Sequence, residues 1–88
     1  MKIVIERRQQ WREQTTVGPL QLRRALRALG LMADLQAYLA TAPEEAQEAW
    51  EYATTIPRLD PLVVAIQQAT GKTDTEVDQL FELALTFP

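Results

Sequence analysis

DPLVVAIQQATGKTDTEVDQLFELA, residues 60–84, reads as two amphipathic helices with their start and stop signals in place. Asp60 offers a carboxylate to an N–H that the first helical turn leaves free, and Pro61 suits a first helical position because its missing N–H would have no partner there. Leu62, Val63, Ile66 and Ala69 recur at helical spacing, and Gly71 supplies the residue type that ends helices in a left-handed turn. Thr73 and Glu76 form a capping box, after which Val77, Leu80, Phe81 and Ala84 share one face.

The same punctuation extends backwards. Gly18-Pro19 opens a helix that should run to Leu29, with Leu22, Ala25, Leu26 and Leu29 as its apolar stripe and Gly30 as its stop. Leu31, Met32, Leu35, Leu39 and Ala42 carry a second stripe, and so short a turn makes the two helices close neighbours. Thr41 and Glu44 have capping-box spacing ahead of a helix with Ala46, Ala49, Trp50 and Ala53 inward. Thr54-Thr55-Ile56-Pro57 ends that helix. The expected fold is all-α: a compact bundle of about five short helices over residues 18–88. Trp50 belongs to its core and Tyr52 points outward. Arg58 should pair with Asp60 or cap the preceding helix's carbonyls, and Phe87 is either a last core plug or an exposed anchor.

Residues 1–17 fall outside that pattern. Lys2-Ile3-Val4-Ile5-Glu6 is β-prone, and Arg7 to Thr16 is polar apart from Trp11, which lacks an apolar neighbour at i±3 or i±4. The expectation is a basic, extended arm whose strand finds its partner on another polypeptide. The alternative is that the strand and Trp11 fold back over the helical body.

Charge divides the chain in the same way. Seven of nine basic residues lie within the first 29 positions and ten of twelve acidic residues after them, so the leading part carries +5 and the remainder −8. Folding of one small domain does not require such a split, which points to contact with a partner or a neighbouring copy.

The inventory narrows the chemistry. With no Cys, His or Ser in 88 residues, nucleophile–base pairs of the Ser–His or Cys–His kind and the usual zinc ligand sets cannot be assembled. Glu44, Glu48 and Glu51 sit at helical spacing, yet a Glu run on an amphipathic helix reads as a solvated face. The expectation is a protein without catalytic residues, metal or cofactor. Absent cysteines fit a reducing compartment, and the apolar runs fall short of the ~20 residues that span a bilayer.

Trp50-Glu51-Tyr52-Ala53-Thr54, Arg58, Pro61-Leu62-Val63 with Ala65, Gly71, Thr73, Val77-Asp78 and Leu80-Phe81 together resemble a family of small helical proteins of tailed bacteriophages. Gln21, Ala25-Leu26 and Gly30-Leu31-Met32 join the likeness, which covers roughly residues 17–85. Such proteins resemble products of the tail and tail-fibre region of phage genomes. The resemblance implies an accessory protein that binds a tail-fibre or baseplate component in the host cytoplasm, as a tail-fibre assembly chaperone. A permanent virion subunit that cements one joint of the tail is the alternative. No catalytic residue comes with it.

The arm supplies the candidate partner-binding residues. Ile3, Val4 and Ile5 would add a strand to an exposed sheet edge, while Arg7, Arg8, Trp11 and Arg12 are of the types enriched at interface hot spots. A homo-oligomer is compatible with the charge split. A nucleic-acid-binding regulator is the remaining class, disfavoured by the pI of about 4.8 and by Leu26 standing where a helix-turn-helix favours Ala before its Gly.

Overall fold

Asp60, Gly71 and Thr73 do locally what their positions require. The Asp60 carboxylate accepts from the Leu62 N–H at 2.9 Å, Gly71 adopts φ +68°, and the Thr73 hydroxyl accepts from the Glu76 N–H at 3.2 Å while Glu76 accepts from the Thr73 N–H at 3.1 Å. They delimit two of six helices in a computed structural model that describes the backbone of residues 2–88 and the side chains of residues 7–88. The order is α1 (Lys2–Gln14), β1 (Thr16–Val17), α2 (Pro19–Ala28), α3 (Met32–Thr41), α4 (Glu44–Tyr52), β2 (Ile56–Pro57), α5 (Pro61–Thr70) and α6 (Asp74–Ala84).

The bundle is all-α apart from the small β1–β2 pair. α2 packs on α6, and α5 packs against both α3 and α4. The apolar stripes meet in one core in which Leu22, Leu26, Leu35, Ile66, Leu80 and Phe81 are fully buried. A side chain such as Phe81 contributes roughly 1.5–3 kcal/mol by leaving water. Trp50 is buried and Tyr52 exposed, as expected, and Phe87 packs half-buried against the core.

Several expectations need correction. Residues 3–5 are not an extended strand: they lie in α1, which occupies most of the stretch read as an arm. Strand preference reflects packing on a sheet rather than a backbone constraint, and the Arg- and Gln-rich sequence that follows is made of good helix formers. Extended pairing occurs later. β1 and β2 run antiparallel, Thr16 opposite Pro57 and Val17 opposite Ile56, and the Arg58 N–H donates to the Thr15 carbonyl at 2.9 Å. Val17 and Ile56 are both buried, so the junction after α1 belongs to the core.

Two helix signals also read differently. Thr41 ends α3 and its hydroxyl donates to the Tyr38 carbonyl at 3.2 Å, leaving Pro43 as the N-cap of α4 without a side-chain bond. Leu29 stands exposed rather than inward because α2 stops at Ala28 and the chain turns through Gly30 at φ +72°. Ala46 on α4 and Ala53 just after it are half-buried, while Ala49 faces solvent.

Candidate partner-binding site

Arg8, Trp11, Arg12 and Thr15 recur at i, i+3, i+4 and i+7, which places them on one side of a helix. Asp74, Asp78 and Glu82 recur every fourth residue on α6. The two stripes meet. Arg12 holds Asp78 through two nitrogens, Nε at 3.0 Å from Oδ1 and Nη2 at 2.8 Å from Oδ2, and Arg8 Nη1 lies 3.2 Å from Glu82 Oε1 and 3.8 Å from Asp78 Oδ2. Trp11 packs half-buried against the core, and the Thr15 hydroxyl donates to its carbonyl.

Arg58 completes the arrangement from the end of β2. Its Nε donates to Asp78 Oδ1 at 2.8 Å, its Nη2 donates to the Asp74 carbonyl at 3.1 Å, and its guanidinium lies 5.8 Å from the Phe81 ring centroid. The expected pairing with Asp60, or capping of the helix before it, is not what forms. Side-chain exposure falls along the series, 20% for Arg12, 3% for Arg58 and 2% for Asp78, so one carboxylate lies buried between two cations. Among the described residues no buried side-chain nitrogen or oxygen lacks a hydrogen-bond partner.

The electrostatics follow. Burial acts most strongly on Asp78 and opposes its ionisation, but hydrogen bonds from Arg12 and Arg58, with their positive charge, together outweigh it and hold the carboxyl below its ordinary pKa. The hydrogen bond to Asp78 raises the pKa of Arg12 against a smaller opposing effect of burial. The two guanidiniums thus favour the ionised form of this carboxylate and engage both of its oxygens.

No family model, curated protein or solved structure matches this chain.

The residues expected to bind a partner divide into three groups. The side chains of Ile3, Val4 and Ile5 lie outside the described residues. Arg12 is engaged internally by Asp78. Arg7, Arg8 and Trp11 come together with Glu82 around an open hollow of about 340 Å³, with the Arg8 guanidinium 5.5 Å from the Trp11 ring centroid. An exposed Arg7 beside the Arg8–Glu82 pair and a half-buried indole offers a partner segment both charged and apolar surface. Of the residues that position this edge, Asp78 and Glu82 have no site role in the sequence reading, and Arg58 is expected there to pair with Asp60 or cap a helix. The available signal was the four-residue spacing of acids on α6 opposite the helical spacing of Arg8 and Arg12.

Proposed function

We propose that this chain is a non-enzymatic binding protein that engages a tail-fibre or baseplate component of a tailed phage, as an assembly chaperone in the host cytoplasm, through the outer edge of α1. The observation that carries the reading is the hollow formed by Arg7, Arg8, Trp11 and Glu82. It presents cationic and aromatic groups on a helix that the Arg12–Asp78–Arg58 cluster fixes in place. The phage partner class comes from the sequence resemblance. Because residues 2–14 are helical, the edge works by side-chain anchoring from a helix and not by adding a strand to a sheet.

Internal pairing also disfavours nucleic acid. Arg12 and Arg58 neutralise Asp78, and Arg8 pairs with Glu82, so few cations of this edge remain for phosphates. Co-expression with tail-fibre and baseplate proteins tests the reading. Wild-type chain should co-purify with one of them, and Arg7→Glu with Arg8→Glu should lose it while keeping helical circular dichroism. Mass spectrometry of purified particles should find no copy of a released chaperone. Failure of every tail protein to co-purify would overturn the reading.

A further inference from the structure

We propose that two copies of this chain pair about a two-fold axis, the basic outer face of α2 on each copy lying against α4 of the other. Leu20, Arg23, Arg24 and Arg27 recur at i, i+3, i+4 and i+7, on the side of α2 opposite the buried Leu22, Ala25 and Leu26. Leu20 and Arg27 are exposed, Arg23 and Arg24 half-buried. The face is therefore a basic strip with one apolar residue at its start.

Its charge is uncompensated. Four of the eight basic side chains described are paired with acids of α6: Arg8, Arg12, Arg58 and Lys72. Three of the remaining four stand on α2, which carries no acid, and among the described residues none of them pairs with an Asp or Glu. Arg24 Nη1 donates to the Pro88 carbonyl at 3.1 Å, and Arg23 Nη2 donates to the Trp50 carbonyl at 3.3 Å with its guanidinium 4.4 Å from the Trp50 ring centroid. These contacts hold the two side chains in place at opposite edges of the strip. They splay rather than converge, which suits a broad partner surface and not a small anion.

The hollow beside Arg23 identifies that partner. It holds about 310 Å³ and is bordered by Arg23 of α2 on one side and by Gln47 and Glu51 of α4 on the other, with Leu39, Ala40 and Trp50 between them. One face thus carries the unpaired base and an unpaired acid side by side, since Arg23 is turned onto Trp50 and Glu51 is in no ion pair among the described residues. Glu44, Glu48 and Glu51, at i, i+4 and i+7, continue the acidic side along α4, as Arg24 and Arg27 continue the basic side along α2. A surface divided in this way is complementary to a copy of itself turned through half a rotation: Arg23 of each copy then meets Glu51 of the other, twice over. α2 and α4 are about 15 Å and about 14 Å long, so the contact falls below the area of a standard stable interface. The dimer is weak and screened by salt.

Analytical ultracentrifugation of the full chain decides it, from about 10 μM to about 1 mM protein at about 20 mM and about 500 mM salt. At low salt the weight-average mass should rise with concentration toward two chains and no further, and at high salt it should return to one. Arg24→Glu with Arg27→Glu should abolish the rise, and so should Glu48→Lys with Glu51→Lys. Mixing these two proteins should restore a one-to-one dimer, because both contacts are then complementary again. Should either reversed variant lose helical signal, Ala40→Arg, at an exposed position of the hollow, must abolish the rise by itself. A monomer at the highest concentration in low salt, a mass that climbs past two chains, or failure of the mixture to associate would each overturn the proposal. The face shares no residue with the α1 edge of the proposed function: a monomer that captures a fibre protein removes only the inference, and a dimer without fibre capture removes only the function.

Discussion

Arg58 Nε donates to Asp78 Oδ1 at 2.8 Å in the protein interior, while Arg12 Nη2 donates to the other oxygen of that carboxylate at 2.8 Å. One side chain of α6 thus joins three stretches of sequence. Asp78→Ala should cost about 3–5 kcal/mol, since it leaves a buried Arg58 and a largely buried Arg12 without a counter-charge. That is a large share of the roughly 5–15 kcal/mol that holds a small domain together. Urea unfolding followed by circular dichroism measures the change.

Arg12→Ala removes one of the two cations and spares the Arg58 pair. The loss should be smaller, about 1.5–3 kcal/mol for hydrogen bonds to a charged partner, and confined to α1. Hydrogen exchange should speed up across residues 2–14 and stay unchanged in α5 and α6. Equal acceleration in α6 would show that α1 and the body unfold as one.

Asp78 has a folded pKa below its unfolded one, so its contribution is fully present above the unfolded value of about 3.9 and is lost as pH falls through the folded value. Glu76 shifts in the same direction, first through the Thr73 backbone N–H and then the Thr73 hydroxyl. The urea midpoint should hold steady from neutral pH to about 5 and fall below about 4. Asp78→Asn should start lower and flatten the acid limb.

Gly71→Ala tests the turn between α5 and α6. An added Cβ at Gly71 meets no atom within 4 Å, so its cost is that of a left-handed backbone alone, about 1–2 kcal/mol. A drop in melting temperature with an unchanged native spectrum is the expected reading.

The parts of the fold that are legible in the sequence are those set by neighbouring residues. Asp60-Pro61, Gly71 and Thr73 with Glu76 act within a turn of themselves, and all are found where the chemistry puts them. The Thr41 signal fails because α3 retains that residue as its last, and its hydroxyl turns back onto Tyr38. α1 escapes a hydropathy reading because the side it turns toward α6 carries Arg8, Trp11 and Arg12: the contact is made largely by charge, and its complement lies on α6, 66 residues from Arg12 to Asp78. β1 and β2 are two residues each, too short for any alternation to register. The candidate site is therefore half visible. Arg7, Arg8 and Trp11 stand out by type, whereas the carboxylates that orient them require the tertiary fold.

The β1–β2 clip has a kinetic consequence. By fastening Thr16–Val17 to Ile56–Pro57 it closes a loop that contains α2, α3 and α4, a non-local step whose entropy must be met before it gains anything. Arg58 directly follows the clip, its N–H on the Thr15 carbonyl and its side chain on Asp78. The same short pairing therefore sets the berth of α1, and the expected order is that α1 docks after the body has assembled and opens before it, which hydrogen exchange across residues 2–14 would read.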